Sequence, residues 1–159
     1  MKKTCYILLV LTAVLTLCGC GIHKIDDPAT AEKFTKAVEE LGFTTEKETV
    51  DGGDVVTATY GKETAVVSYG QYDEMSSVTQ MYDYFLKNAS DNKDYTVEEG
   101  EGKNFVAISG DYMFRCTVRE NTIIAATTKG DEGKDLVNKI FSELKYVKSR
   151  VKCENIKKK

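Results

Sequence analysis

The sequence predicts an α+β domain: an antiparallel sheet of about six to seven strands with three helices, in the order α-β-β-β-α-β-β-β-β-α. Three observations carry this. Short runs rich in β-branched and aromatic residues recur along the chain, as half-buried strands require. Glycine- and asparagine-bearing turns separate them. Three windows repeat apolar residues at helical spacing.

Asp27-Pro28 reads as a helix opening, with an acceptor at the cap and proline at the first helical position. Phe34, Ala37, Val38 and Leu41 form an apolar stripe, and Gly42 closes the helix where a left-handed residue is needed. Residues 44–50 alternate weakly and read as an edge strand blunted by Glu46, Lys47 and Glu48. Asp51-Gly52-Gly53 turns the chain into a strand over 55–60. Gly61-Lys62 reads as a two-residue hairpin turn leading into a strand over 64–69. A second helix, 75–88, carries Val78, Met81, Tyr82, Phe85 and Leu86 on one stripe, with Ser76 or Ser77 near its cap. Strands follow at 95–98, 104–109 and 112–119, the last two joined by a glycine-first turn at Gly110-Asp111. After Glu120-Asn121 comes Thr122-Ile123-Ile124-Ala125-Ala126-Thr127, apolar on both faces and therefore expected in the middle of the sheet. A third helix from Asp131 to Val147 buries Leu136, Val137, Ile140, Phe141 and Leu144.

The two halves look alike. Each has a helix, an aromatic-threonine opening (Phe43-Thr44, Tyr95-Thr96), an acidic glycine-containing turn, and a strand–turn–strand unit. An internal αβββ duplication with a period of about 50 residues would explain the likeness, as would convergence on good hairpin chemistry. Neither half can bury its own sheet face, so the halves are expected to merge into one sheet with the helices on one face.

The chain starts with Lys2 and Lys3, then an apolar run from Tyr6 to Cys18, then Leu17-Cys18-Gly19-Cys20. The run is shorter than the ~20 residues of a permanent span and has the form of a secretory signal. The segment resembles the lipobox of bacterial lipoproteins: Leu17 supplies the aliphatic residue and Gly19 the small one, while Cys18 is a less usual occupant between them. The resemblance implies cleavage after Gly19 and attachment of a diacylglyceryl group to the Cys20 thiol. It also implies a chain held by lipid on the outer face of the cytoplasmic membrane. Size and signal together resemble the small single-domain lipoproteins of Gram-positive bacteria. On this reading 1–19 is the signal peptide, 20–27 a lipidated linker, 28–147 one α+β domain and 148–159 a basic tail.

Residues 1–19 aside, 140 residues remain, ample for one core. They carry 20 basic and 25 acidic side chains. The charge is lopsided: Lys145, Lys148, Arg150, Lys152, Lys157, Lys158 and Lys159 cluster at the end beside the single acid Glu154. Such a tail has two readings, contact with anionic headgroups or a solvated end; the solvated end is the simpler. The acidic body and an extracytoplasmic address both argue against a nucleic-acid partner.

Two cysteines lie beyond Cys20. Alternation places Cys116 with Tyr112, Phe114 and Val118 on an apolar face, where it reads as a small buried hydrophobe. An oxidising compartment permits a Cys116–Cys153 disulfide, but spacing alone does not establish one.

The sequence offers no catalytic set. His23 is the single histidine and sits in the linker, so triads built on a fixed histidine base and histidine-based zinc sites are disfavoured. Asp51-Gly52-Gly53-Asp54 and Gly130-Asp131-Glu132-Gly133-Lys134 match no phosphate-binding pattern. Asp91-Asn92-Lys93-Asp94 puts a lysine where a calcium loop wants a ligand. Glu98, Glu99, Glu101 and Asp111 have no context that separates them as an acid–base pair. Tyr69 and Tyr72, in Tyr69-Gly70-Gln71-Tyr72 at a strand end, are the candidate binding residues, since rings at such places serve as anchors. The reading is a non-catalytic binding or accessory module without metal or cofactor, facing a protein partner or wall polymer. Two alternatives are a carboxylate hydrolase of envelope glycans and a structural protein that self-associates through a sheet edge.

Overall fold

A computed structural model describes residues 27–146. The elements are α1 (Ala31–Glu40), β1 (Thr44–Val50), β2 (Gly53–Tyr60), β3 (Ala65–Tyr72), α2 (Met75–Asp91), β4 (Thr96–Glu99), β5 (Asn104–Ser109), β6 (Tyr112–Arg119), β7 (Thr122–Lys129) and α3 (Gly130–Glu143). The three helices and seven strands follow the expected order.

Several boundaries move for tertiary reasons. Helix α1 begins after Thr30, whose Oγ1 accepts from the Lys33 amide at 3.2 Å. Asp27-Pro28 does not open it. The buried Ala29 is held by its backbone instead: its N–H donates to the Tyr146 hydroxyl at 3.2 Å and its carbonyl accepts from the Tyr69 hydroxyl at 2.8 Å. These two bonds keep the segment outside the helix. At the other end Gly42 takes φ +85° and the Phe43 amide bonds the Val38 carbonyl at 3.1 Å, a left-handed stop. Helix α3 stops at Glu143, short of Val147. Lys145 turns left-handed at φ +58°, and the Tyr146 amide bonds the Phe141 carbonyl at 2.8 Å. That fold-back seats Tyr146 in the core with its hydroxyl 2.9 Å from Thr122 Oγ1. The β2–β3 connection is four residues long, not the expected two. Tyr60 pairs with Ala65, Gly61 and Glu63 are both left-handed, and the Thr64 amide bonds the Tyr60 carbonyl at 3.0 Å.

All pairings are antiparallel and the strand order is β1-β2-β3-β7-β6-β5-β4. The doubly apolar β7 is the central strand, as expected. It joins the two meanders through pairs such as Tyr69↔Ile124 and Cys116↔Ala125.

The helices do not share one face. Phe34, Ala37 and Val38 of α1 pack with Val137, Ile140 and Phe141 of α3 on Val56, Ala58, Val67, Tyr69, Ile124 and Ala126. Val78, Tyr82 and Ala89 of α2 pack on Phe105, Ala107, Cys116 and Ile123, which alternate with the first set and so belong to the opposite face. The geometry of the pairing explains the difference. β3 and β6 are both antiparallel to β7, hence parallel to each other. The rotation that superposes β1-β2-β3 on β4-β5-β6 therefore runs along β7 and exchanges the two sheet faces. Each αβββ half covers its own strands with its own helix, and the two helices fall on opposite sides. Each buried large apolar side chain contributes about 1.5–3 kcal/mol, so two fully formed cores replace the single one expected.

Among the described residues no helix is long and apolar enough to cross a membrane.

Candidate functional site

Among the described residues β1 has a neighbour on one side only, β2, and its residues Thr44–Val50 are exposed or half-buried. Thr45 and Lys47 pair with Ala58 and Val56 and point to the α1 side of the sheet. Between them and the outer side of α1 runs an open trough of about 830 Å³. Its floor is Val56 and Ala31; Thr35, Glu32, Lys36, Glu39 and Glu40 form the helix wall. The walls are tied together. Thr45 Oγ1 donates to Glu39 Oε1 at 2.9 Å. Lys36 lies 3.9 Å from Glu40, and Lys47 lies 3.1 Å from Asp54. Asp54 also accepts from Thr49 Oγ1 at 2.8 Å; that bond first, then the Lys47 ammonium, lowers its pKa below the usual carboxylate value. A lowered pKa keeps Asp54 charged and suits it to holding the hairpin, whereas a general acid needs the opposite shift.

A second open hollow, of about 520 Å³, lies at the far end of the β1–β2 hairpin and includes Tyr72, Asp73, Asn121 and Gly53. Three chain segments are stitched together here. Asn121 Nδ2 donates to the Tyr72 carbonyl at 2.6 Å, the Tyr72 amide donates to the Asn121 carbonyl at 3.0 Å, and the Asp73 amide donates to the Gly52 carbonyl at 2.9 Å. The Tyr72 ring rests on bare backbone. A Cβ at Gly53 or Gly70 would come within 2.8 or 2.7 Å of it.

The two candidate tyrosines therefore separate. Tyr69 is fully buried, stacked on Phe34 at 5.4 Å, and burial pushes its hydroxyl up to about 12. It is a core residue and presents no ring at the surface, because β3 runs on to Tyr72 and takes Tyr69 inside the sheet. Tyr72 alone reaches a hollow, half-buried. Cys20, His23 and Cys153 lie outside the described residues. No protein-family model matches the chain, and no curated protein or solved structure matches it significantly.

Cys116 sits in the core under α2, fully buried, and burial pushes its thiol up to about 12. The described chain ends at Tyr146 on the opposite face, bonded to Thr122 and Ala29. Cys153 lies outside the described residues, and Cys116 is buried on the face of the sheet opposite Tyr146. Cys116 is expected to remain a free thiol, unreactive to alkylating reagent at neutral pH until the protein is denatured. A Cys116–Cys153 linked peptide in a non-reduced digest would contradict this.

The hydrolase reading requires a deep cleft with two carboxylates, one of raised pKa. Glu98 and Glu99 stand on β4, Glu101 and Asp111 in separate turns, and both hollows are open. Among the described residues no group of three or more His, Cys, Asp or Glu is placed to hold a metal ion. The trough beside β1 was not singled out from the sequence, although two signals for it were present. Glu32, Lys36 and Glu39 fall on the helix face opposite Phe34 and Val38. Lys47 stands on the side of β1 opposite Glu46 and Glu48.

Proposed function

We propose that the chain is a lipid-anchored binding or accessory module on the outer face of the cytoplasmic membrane, with no catalytic centre of its own. Leu17-Cys18-Gly19-Cys20, following Lys2, Lys3 and the oily run, is the observation that carries the reading. The first core residue, Ala29, follows Cys20 closely in the sequence, so an anchored domain would stand close to the bilayer. Two or more acyl chains would hold it there stably, each buried methylene adding about 0.8 kcal/mol. What supports a binding role is the shape of the surface: an open sheet edge beside a helix-walled trough. A protein partner or a wall polymer fits that surface better than a small metabolite, which needs an enclosed pocket.

The test is Cys20→Ala in cells fed an alkyne fatty acid. The parent chain is expected to take up label and fractionate with membranes, and the variant to take up none and retain its leader. Label on the variant, or an unlabelled parent free in the cytosol, would overturn the anchor. Cross-linking on intact cells would then report the neighbours of the anchored chain.

A further inference from the structure

We infer that β1 is a docking edge for an extended basic peptide, which adds as an eighth strand and lays alternate side chains into the trough beside α1. This deepens the binding role proposed above and rests on it.

An unpaired edge offers a row of backbone donors and acceptors to any extended chain. Among the described residues β1 is such an edge, seven residues long. A strand paired to it continues the sheet, so half of its side chains share the side of Thr45 and Lys47 and enter the trough. The other half share the side of Glu46 and Glu48 and meet solvent.

Charge selects the occupant. On the trough side the helix wall presents Glu32 and Glu39, the second also accepting from Thr45 Oγ1, while Glu40 is paired with Lys36. Lys47 of β1, facing the same trough, is paired with Asp54. On the other side stand Glu46 and Glu48, both exposed. An added strand therefore meets carboxylates on both of its faces, and lysine or arginine at successive or alternate positions is the chemistry that fits. The apolar floor, Val56 and Ala31, adds a place for a small aliphatic residue between the basic ones.

In the registers that pair most of β1, a second copy of this chain fits poorly. Two β1 strands related by a twofold axis pair antiparallel with their faces preserved, so directly opposite residues have numbers of the same parity. Centring the pair on Lys47 sets Glu46 opposite Glu48. Centring it on Glu46 or Glu48 sets that glutamate opposite its own copy. Like charges directly opposite destabilise a sheet pair, and the other edge, β4, carries Glu98 and Glu99.

The test uses the full chain extracted from membranes in a non-ionic detergent. The probes are a peptide of alternating valine and lysine as long as β1 and the same peptide with glutamate for lysine. Fluorescence anisotropy reads binding, and hydrogen exchange reads which amides gain protection. The lysine peptide is expected to bind and to slow exchange at residues 44–50, and the glutamate peptide to stay free. Glu39→Lys/Glu48→Lys should weaken binding by about tenfold or more. Glu98→Lys/Glu99→Lys makes the same charge change on the opposite edge and should alter binding less than about twofold. Unreactive Cys116 certifies that each variant is folded. The inference falls if the lysine peptide does not bind, if both double variants weaken it equally, if protection appears away from β1, or if the parent dimerises through β1. An anchored chain with cross-linked partners but no peptide binding would end this inference alone. An unlipidated cytosolic chain that still bound the peptide would end the functional reading alone.

Discussion

Replacing Phe141 by alanine is expected to lower the unfolding free energy by about 3–5 kcal/mol. The ring is fully buried where α3 meets the sheet, and it is the seat of a charge. The Arg115 guanidinium lies 4.5 Å from the ring centroid, and Arg115 Nη1 donates to Asn138 Oδ1 at 2.8 Å. Arg115 is itself only 4% exposed. A cation taken from water loses hydration, and the ring face returns about 0.5–2 kcal/mol of that. Alanine removes the packing volume and the ring face together. For a domain of this size the loss corresponds to a fall in melting temperature of about 10–20 °C. Phe141→Leu keeps most of the volume and none of the ring face, so it isolates the cation's share. A loss below about 1 kcal/mol for the alanine variant would show that Arg115 and Phe141 do not share a buried site.

Gly133→Ala is the second large effect, and its sign runs against helix propensity. In an open helix the change would stabilise by about 1 kcal/mol. Here α3 crosses the β2–β3 loop so closely that a Cβ on Gly133 would lie 2.5 Å from the Thr64 carbonyl oxygen and 3.1 Å from Thr128 Cβ. The carbonyl is not free to move aside, because it accepts from the Lys129 amide at 2.9 Å. Relieving the clash means breaking that bond or lifting α3 off β7. Overpacking of this kind costs about 1–3 kcal/mol, and the helix gain does not offset it. Thermal unfolding of Gly133→Ala beside Ser90→Ala, an exposed helical control on α2, gives the comparison. A stabilised Gly133→Ala would show that the helix stands off the loop.

Much of the architecture was legible in local pattern. Phe34, Ala37 and Val38 recur at the period of a helix. Phe105 and Ala107 alternate at the period of a strand, and Gly110-Asp111 marks the turn between β5 and β6. The double apolar character of Ile123–Ala126 marked the central strand, because only a strand covered on both sides buries every residue. The edge character of β1 was legible in Glu46-Lys47-Glu48. Other features were not local. Pro28 satisfied every rule for a helix start, but Ala29 is engaged by Tyr69 and Tyr146, one 40 and the other 117 residues away. Tyr69 had the composition of a surface anchor and lies in the core, because β3 continues past it. The trough needed α1 and β1 to be seen side by side.

From the order of residues alone come the element types, their order along the chain, a sheet of about six to seven strands with three helices, and which side chains share a face. Periods of 2 and 3.6 are properties of a single segment, so the chain carries them without reference to its neighbours. Which helix meets which face is a different kind of fact. It follows from β7 pairing with both β3 and β6, contacts between residues more than 50 positions apart for Tyr69 and Ile124. That pairing turns one half of the sheet over relative to the other, places α2 opposite α1 and α3, and leaves β1 at an open margin. No local spacing encodes that rotation, because it arises only when the whole sheet has closed around its central strand.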